Sequence, residues 1–208
     1  MYRFSKIISD IFNPLIVPLL AAAYILFSGS VYSLDPIPLK AKFYLFGVLA
    51  LFMFFMPLLA ILILKSMGMA ETLHLPKREQ RFIPFVLSAL FYYAAYYTLS
   101  LINGLPQIIS VLLLSGIVLL GIAILFTLWY QISIHTMCMG SLVAIFTYLS
   151  YFYFADTFAI MLLSIAVSGL VAMSRLVLNA HKPYQIYSGF LVGLAVQYIS
   201  LIFFTIYF

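Results

Sequence analysis

The chain alternates long apolar runs with short polar stretches. Runs free of Asp, Glu, Lys and Arg occupy residues 11–29, 43–64, 82–101, 107–130, 136–154, 157–173 and 186–208. Each is close to the ~20 residues that a helix needs to cross a hydrocarbon core. Phe, Tyr, Val and Ile would favour strands in water, but backbone polar groups find no water partner in lipid, so each run is expected to be helical. The pattern predicts an all-α fold, a polytopic transmembrane helix bundle of six to seven spans. Run 11–29 separates six from seven: Pro14 and Pro18 can kink it, turn it back or leave it partly in the interface. It also has the look of an uncleaved signal anchor, with Arg3 and Lys6 ahead of it, although Asp10 intrudes and no A-x-A-like cleavage site follows. It is therefore expected to stay in the mature protein. No internal repeat, low-complexity tract or long linker divides the sequence, so residues 1–208 read as a single integral membrane domain.

Composition sharpens this picture. Apolar and aromatic residues make up 66% of the chain and charged residues 7%, against roughly 45–50% and about 25% in soluble domains. A water-soluble fold of this size could neither hide that much apolar surface nor cover itself with so few charges. The single cysteine, Cys138, excludes an internal disulfide and argues against a cysteine-built zinc or iron–sulfur site. No cofactor and no metal are expected.

The polar residues collect in three islands: 65–81 (KSMGMAETLHLPKREQR), 131–136 (QISIHT) and 174–185 (SRLVLNAHKPYQ), which hold all three histidines. Two runs separate the first island from the second, hinged at Asn103-Gly104-Leu105-Pro106, and two more separate the second from the third, hinged near Asp156. An even number of crossings returns the chain to the side it left, so the islands are expected on one membrane face. In the first, Lys77 and Arg81 stand at i, i+4 behind Pro76, a spacing that lets both cations share a helix face. In the second, Ser133 and His135 precede a run, where helix N–H groups and the dipole favour an anion. In the third, Ser174 and Arg175 end one run, while His181 and Gln185 face the same way if the next helix begins near Lys182-Pro183. Cations, a hydroxyl, a helix N-terminus and two imidazoles without a carboxylate cluster suit an oxyanion, of which phosphate is the obvious one.

In these residues the chain resembles the type 2 phosphatidic acid phosphatases, a family of membrane lipid phosphatases. The family's third motif, S-R-x5-H-x3-D, is matched by Ser174-Arg175, His181 and, in place of Asp, Gln185. Its second, P-S-G-H, is matched by Ile132-Ser133-Ile134-His135 without the Pro and Gly. Its first, K-x6-R-P, is degenerate here: Arg81 stands for the Arg, His74 falls where Lys would, Lys77 lies nearby and the Pro is displaced to Pro84. The resemblance implies a metal-independent hydrolase of a lipid phosphomonoester or diphosphate. His181 would attack phosphorus to form a phosphohistidine. His135 would protonate the leaving oxygen and then activate water. Lys77, Arg81, Ser133, Ser174 and Arg175 would bind the phosphate oxygens. The family's Asp would orient the nucleophilic ring and stabilise its developing charge. Gln185 can do the first but carries no charge for the second, so weakened catalysis, or a lipid-phosphate binder or transporter on the same scaffold, is the alternative.

Other classes fit less well. Runs without charge argue against an ion path through the bundle, and neither His135 nor His181 lies deep enough in a run for haem ligation. Trp129 with Tyr130, and Tyr151 with Tyr153, suit interfacial aromatic belts, and Cys138 with Met137 and Met139 suits packing. Expected partners are a lipid phosphate and the membrane lipids, with no nucleic acid. The expected location is the cell (inner) membrane. With seven spans, eight Lys and Arg lie with the islands and two opposite, which by itself favours a cytoplasmic site. Four of those eight are candidate phosphate ligands or their neighbours, and the family usually faces outward, so an outer or periplasmic site is the expectation.

Overall fold

The computed structural model describes residues 1–29, 37–73, 75–102, 105–152 and 157–207. Among them the chain is all-helical, without strands. In order come α1 (Tyr2–Ile11), α2 (Val17–Phe27), α3 (Leu39–Ala50), a π-helical turn (Leu51–Phe55), α4 (Met56–Ser66), a 3-10 turn (Arg78–Arg81), α5 (Phe82–Ser100), α6 (Gln107–Trp129), α7 (Ile134–Phe152), α8 (Phe158–Val177) and α9 (Pro183–Tyr207). The π turn joins α3 and α4 into one 28-residue rod, Leu39–Ser66. Its widened turn lies just ahead of Pro57, which has no N–H to give the ladder. With α5 to α9 this rod makes six helices long and apolar enough to cross a membrane.

The first apolar run does not form a seventh such helix. It breaks between Phe12 and Ile16, where Leu15 N–H donates to the Asn13 side chain at 3.0 Å. Beyond the break comes α2, whose 11 residues reach only about 17 Å at 1.5 Å per residue. Val17, Ala21, Ala22, Ile25 and Leu26 pack it into the main core. Ahead of the break, α1 lies against α8. It turns Ser5 and Ser9 inward and leaves Tyr2, Phe4, Ile7 and Ile11 exposed. Arg3, Lys6 and Asp10 are exposed as well, so the outer face mixes charged and apolar side chains, as in a helix that lies in the membrane interface with its serines turned to the bundle.

The remaining runs form helices near their expected limits, with one consequence for the site. Helix α8 continues past residue 173 to Val177, so Arg175 sits in its last turn, where the helix dipole favours a cation. The hinge residues Asn103, Gly104 and Asp156, the aromatic Tyr153 and the imidazole His74 lie outside the described residues.

Helices α7 and α9 form the closest pair, and their registers advance together. A Cβ on Gly189 would meet the backbone of Ser133, and one on Gly193 the backbone of Met137. Ser141 Oγ, one turn below Met137, donates to Gly193 O at 3.2 Å. The two helices are therefore parallel, start at the same end of the bundle, and touch where glycine leaves room for backbone.

Candidate active site

Arg81, His135, Arg175 and His181 line one cavity at the end of the bundle where α5, α7 and α9 begin and α8 ends. All four are buried. The three islands therefore meet, as the parity of crossings requires.

Each arrives by a local device. Arg81 closes the 3-10 turn. Its Nε donates to Leu75 O at 2.8 Å and its Nη1 to Ile132 O at 3.4 Å, which ties the first island to the second. His181 follows a tight helix exit: Asn179 N–H donates to Leu176 O and Ala180 N–H to Arg175 O. Asn179, at φ 51°, takes the left-handed position that asparagine tolerates at such a C-terminus. Two residues later Pro183 opens α9, as its fixed φ and missing N–H favour.

Gln185 serves two purposes. Its Oε1 accepts from His181 Nδ1 at 3.2 Å and from Lys182 N–H at 3.0 Å, so it both orients the imidazole and caps the first turn of α9. An amide oxygen can only accept, which leaves the proton on Nδ1 and the lone pair on Nε2. Burial holds the His181 pKa down to about 4, helped by the charges of Arg81 and Arg175 and opposed by Gln185 and the Gln131 backbone carbonyl. His181 is accordingly a neutral imidazole at pH 7, in the protonation state of a nitrogen nucleophile.

Ser9, on α1, is a site residue that the motif spacing does not reveal. Arg175 Nη1 donates to Ser9 Oγ at 2.7 Å, and the same oxygen lies 3.4 Å from His135 Nε2. A guanidinium can only donate, so the single hydroxyl hydrogen is left for the neutral imidazole, and the oxygen can accept again when His135 is protonated. The available signal is the i, i+4 spacing of Ser5 and Ser9 ahead of the first apolar run.

Three expected phosphate ligands fare differently. Lys77 is not in the cavity: its ammonium pairs with Glu71 at the surface, its side chain 62% exposed, and that carboxylate raises its pKa. The i, i+4 argument assumes an α-helical turn. The chain is extended at Lys77 and forms a 3-10 turn after it, so residues three apart eclipse and Lys77 and Arg81 point apart. Ser174 is buried, but its hydroxyl donates to Leu170 O in its own helix at 2.8 Å, so the structure does not direct it to the site. Ser133 precedes α7, tied to the third island by its N–H on Gln185 O at 3.2 Å. Its Oγ is buried without a hydrogen-bond partner, as is Arg175 Nε. A buried donor left unpaired costs about 1–3 kcal/mol; an oxyanion in the cavity would supply an acceptor for Arg175, which lines it, whereas Ser133 is not among the lining residues.

The whole cavity has a volume of about 170 Å³ and is mainly apolar inward of these groups. Met53, Pro57, Ile61, Leu142 and Ile145 form part of its walls, and no Asp or Glu lines it. Two guanidinium groups without a lining carboxylate, above a greasy chamber, suit an anion that carries an apolar tail. Among the described residues no group of three or more His, Cys, Asp or Glu could hold a metal ion.

No curated protein and no solved structure matches the chain. Residues 126–207, which contain Ser133, His135, Ser174, Arg175, His181 and Gln185, match the family model of the PAP2 superfamily, a superfamily made up generally of phosphatases. That match, carried by the part of the bundle that holds both histidines of the cavity, supports a PAP2-type family member.

Proposed function

We propose that this integral membrane protein hydrolyses a lipid phosphate, monoester or diphosphate, through a phosphohistidine on His181. The observation that carries the reading is the neutral His181 ring, held by Gln185 with its Nε2 lone pair available, in one cavity with Arg81, Arg175 and His135. Nε2 attacks phosphorus and the bond from phosphorus to the leaving oxygen breaks, while protonated His135 gives that oxygen its proton. Water then attacks the phosphohistidine, His135 takes the water's proton, and the P–N bond breaks to release inorganic phosphate and restore His181. Arg81, Arg175 and the Ser133 hydroxyl hold the equatorial oxygens, whose charge needs stabilising in transfer. The substrate's phosphate lies at the rim and its tail in the bilayer or the chamber. The site faces outward, as the resemblance in the three islands implies.

The amide at Gln185 favours a second reading, a lipid-phosphate binder or transporter with slow turnover, because an uncharged acceptor stabilises a phosphoimidazolium poorly. Phosphate release by the purified protein in detergent with EDTA, over a panel of lipid mono- and diphosphates and beside His181→Ala, separates the two. Release by the wild type alone supports the phosphatase. Silence from a folded wild type on every lipid overturns it.

A further inference from the structure

Ser9 stands behind the site rather than in it. Arg175 and His135 line the cavity and Ser9 does not, although its hydroxyl touches both. All three side chains are buried, Ser9 to 1% exposure, so their polar groups rely on partners inside the protein. Arg175 gives Ser9 its Nη1, and its Nε has no hydrogen-bond partner. The edge formed by Nε and Nη2 is thereby left for two oxygens of a phosphate. Ser9 holds the guanidinium by one nitrogen and leaves its bidentate edge to the anion.

The same hydroxyl acts on His135. A guanidinium only donates, so with Arg175 on its oxygen Ser9 turns its hydrogen to His135 Nε2, and the neutral ring carries its proton on Nδ1. When His135 is protonated, the hydroxyl turns and its second lone pair accepts from Nε2–H. A carboxylate could only accept there and would serve a ring with its proton on Nε2. A hydroxyl serves the ring with or without that proton, as a group that first gives and then takes a proton requires. The 3.4 Å separation of Ser9 Oγ and His135 Nε2 is the loose kind of contact that catalytic groups make before substrate tightens it.

Resting on the proposed phosphatase reading, we infer that Ser9 is a positioning residue: anchored by Arg175, its hydroxyl holds the His135 ring at the angle from which it protonates the leaving oxygen. The proton still passes from His135 to the leaving oxygen as the bond to phosphorus breaks, and Ser9 neither gains nor loses one. Residue 9 lies outside residues 126–207, which match the family model, so this hold on the acid is a contribution of α1. Without the hydroxyl the ring can turn, and a hydrogen bond of this kind is worth about fivefold in rate.

Two tailed monoesters separate proton donation from binding: hexadecyl phosphate, whose alkoxide leaves only with a proton, and a nitrophenyl phosphate with a hexadecyl chain on its ring, whose phenolate leaves without one. Phosphate release by the purified full chain in detergent gives kcat/KM for each. Ser9→Ala should lose about fivefold more on the alkyl ester than on the aryl ester. His135→Ala should show the same imbalance more strongly, towards the ~10²–10⁴ that a general acid contributes. Ser9→Thr, which keeps the hydroxyl, should keep the wild-type ratio. Equal losses on the two esters in Ser9→Ala, or a ratio as skewed in Ser9→Thr as in Ser9→Ala, overturn the inference and leave the phosphatase reading standing. A second measurement needs neither turnover nor a Ser9 variant: 15N NMR of the free protein above about pH 8, where an ordinary imidazole is neutral, with His135→Ala to assign the resonances. Wild-type His135 should show a bare Nε2 and a protonated Nδ1; a protonated Nε2 overturns the inference. Failure of the wild type on the whole lipid panel overturns the phosphatase reading, and the tautomer then decides separately whether Ser9 holds His135.

Discussion

Replacing Gln185 by Asp should move the protonation of His181 by more than a pH unit, and the structure fixes the direction. The amide oxygen now accepts from Nδ1 at 3.2 Å without adding charge, and burial and two guanidinium groups hold the ring pKa near 4. A carboxylate at that position would favour the imidazolium, and an opposite charge at such range raises a pKa by about 1–3 units. The Gln185→Asp protein should therefore titrate His181 at roughly 5–7. Turnover should rise as well, because a hydrogen bond to a charged partner is stronger than a neutral one by about 1 kcal/mol, or five- to tenfold in rate. Histidine NMR on free, 15N-labelled protein in detergent, with His181→Ala to assign the resonance, reads the pKa without interference from the substrate phosphate, which itself titrates near pH 6. The acid limb of kcat/KM reads it in the working enzyme. A wild-type value near the ordinary 6.5, or an unchanged value in Gln185→Asp, would refute the assigned hydrogen bond and the argument for a neutral nucleophile.

Three further outcomes can be checked. The low pKa of His181 makes the unfolded chain bind a proton that the folded chain does not between pH 6.5 and about 4, so stability should fall on acidification through that window by up to about 3 kcal/mol. Melting temperatures from pH 7.5 down to 4.5 should show the loss, and His181→Ala should flatten it. Lys77→Ala should leave kcat/KM within about twofold, since Lys77 lies outside the cavity and spends its charge on Glu71 in an exposed pair; a loss of a hundredfold would bring Lys77 back into the site. Gly193→Ala should lower the melting temperature sharply, because its Cβ would press into the Met137 carbonyl and overpacking of this kind costs about 1–3 kcal/mol.

Much of this molecule is legible in its sequence because lipid makes the reading simple. Charge-free length marks the long helices, and the parity of crossings brings Arg81, His135, Arg175 and His181 to one end. Motif spacing puts Gln185 one turn from His181, with Pro183 opening the helix between them. The differences have local causes. Helical spacing places Lys77 beside Arg81, but their segment forms a 3-10 turn, and run 11–29, which the sequence leaves open between six and seven spans, breaks at Asn13-Pro14. Ser9 and Gln197 belong to no motif: Ser9 meets Arg175 and His135 only through the packing of α1 on α8, and Gln197 is held by Ser115 where α6 packs on α9. The Gly189-x-x-x-Gly193 spacing, a sign of close helix approach in membranes, is present in the sequence as a packing signal.

That glycine contact sets how the site responds to its surroundings. His135 is held at the start of α7 and His181 just ahead of α9, and between those helices there is backbone against backbone rather than flexible side chains. Backbone contact has no slack to take up or release. A thicker or thinner bilayer, which peripheral helices accommodate by tilting, should leave the distance between the two imidazoles unchanged. Arg81, in the turn ahead of α5, and Ser9, on α1, sit on elements outside that pair, so lateral pressure in the membrane would shift them before it shifts the spacing of the two imidazoles.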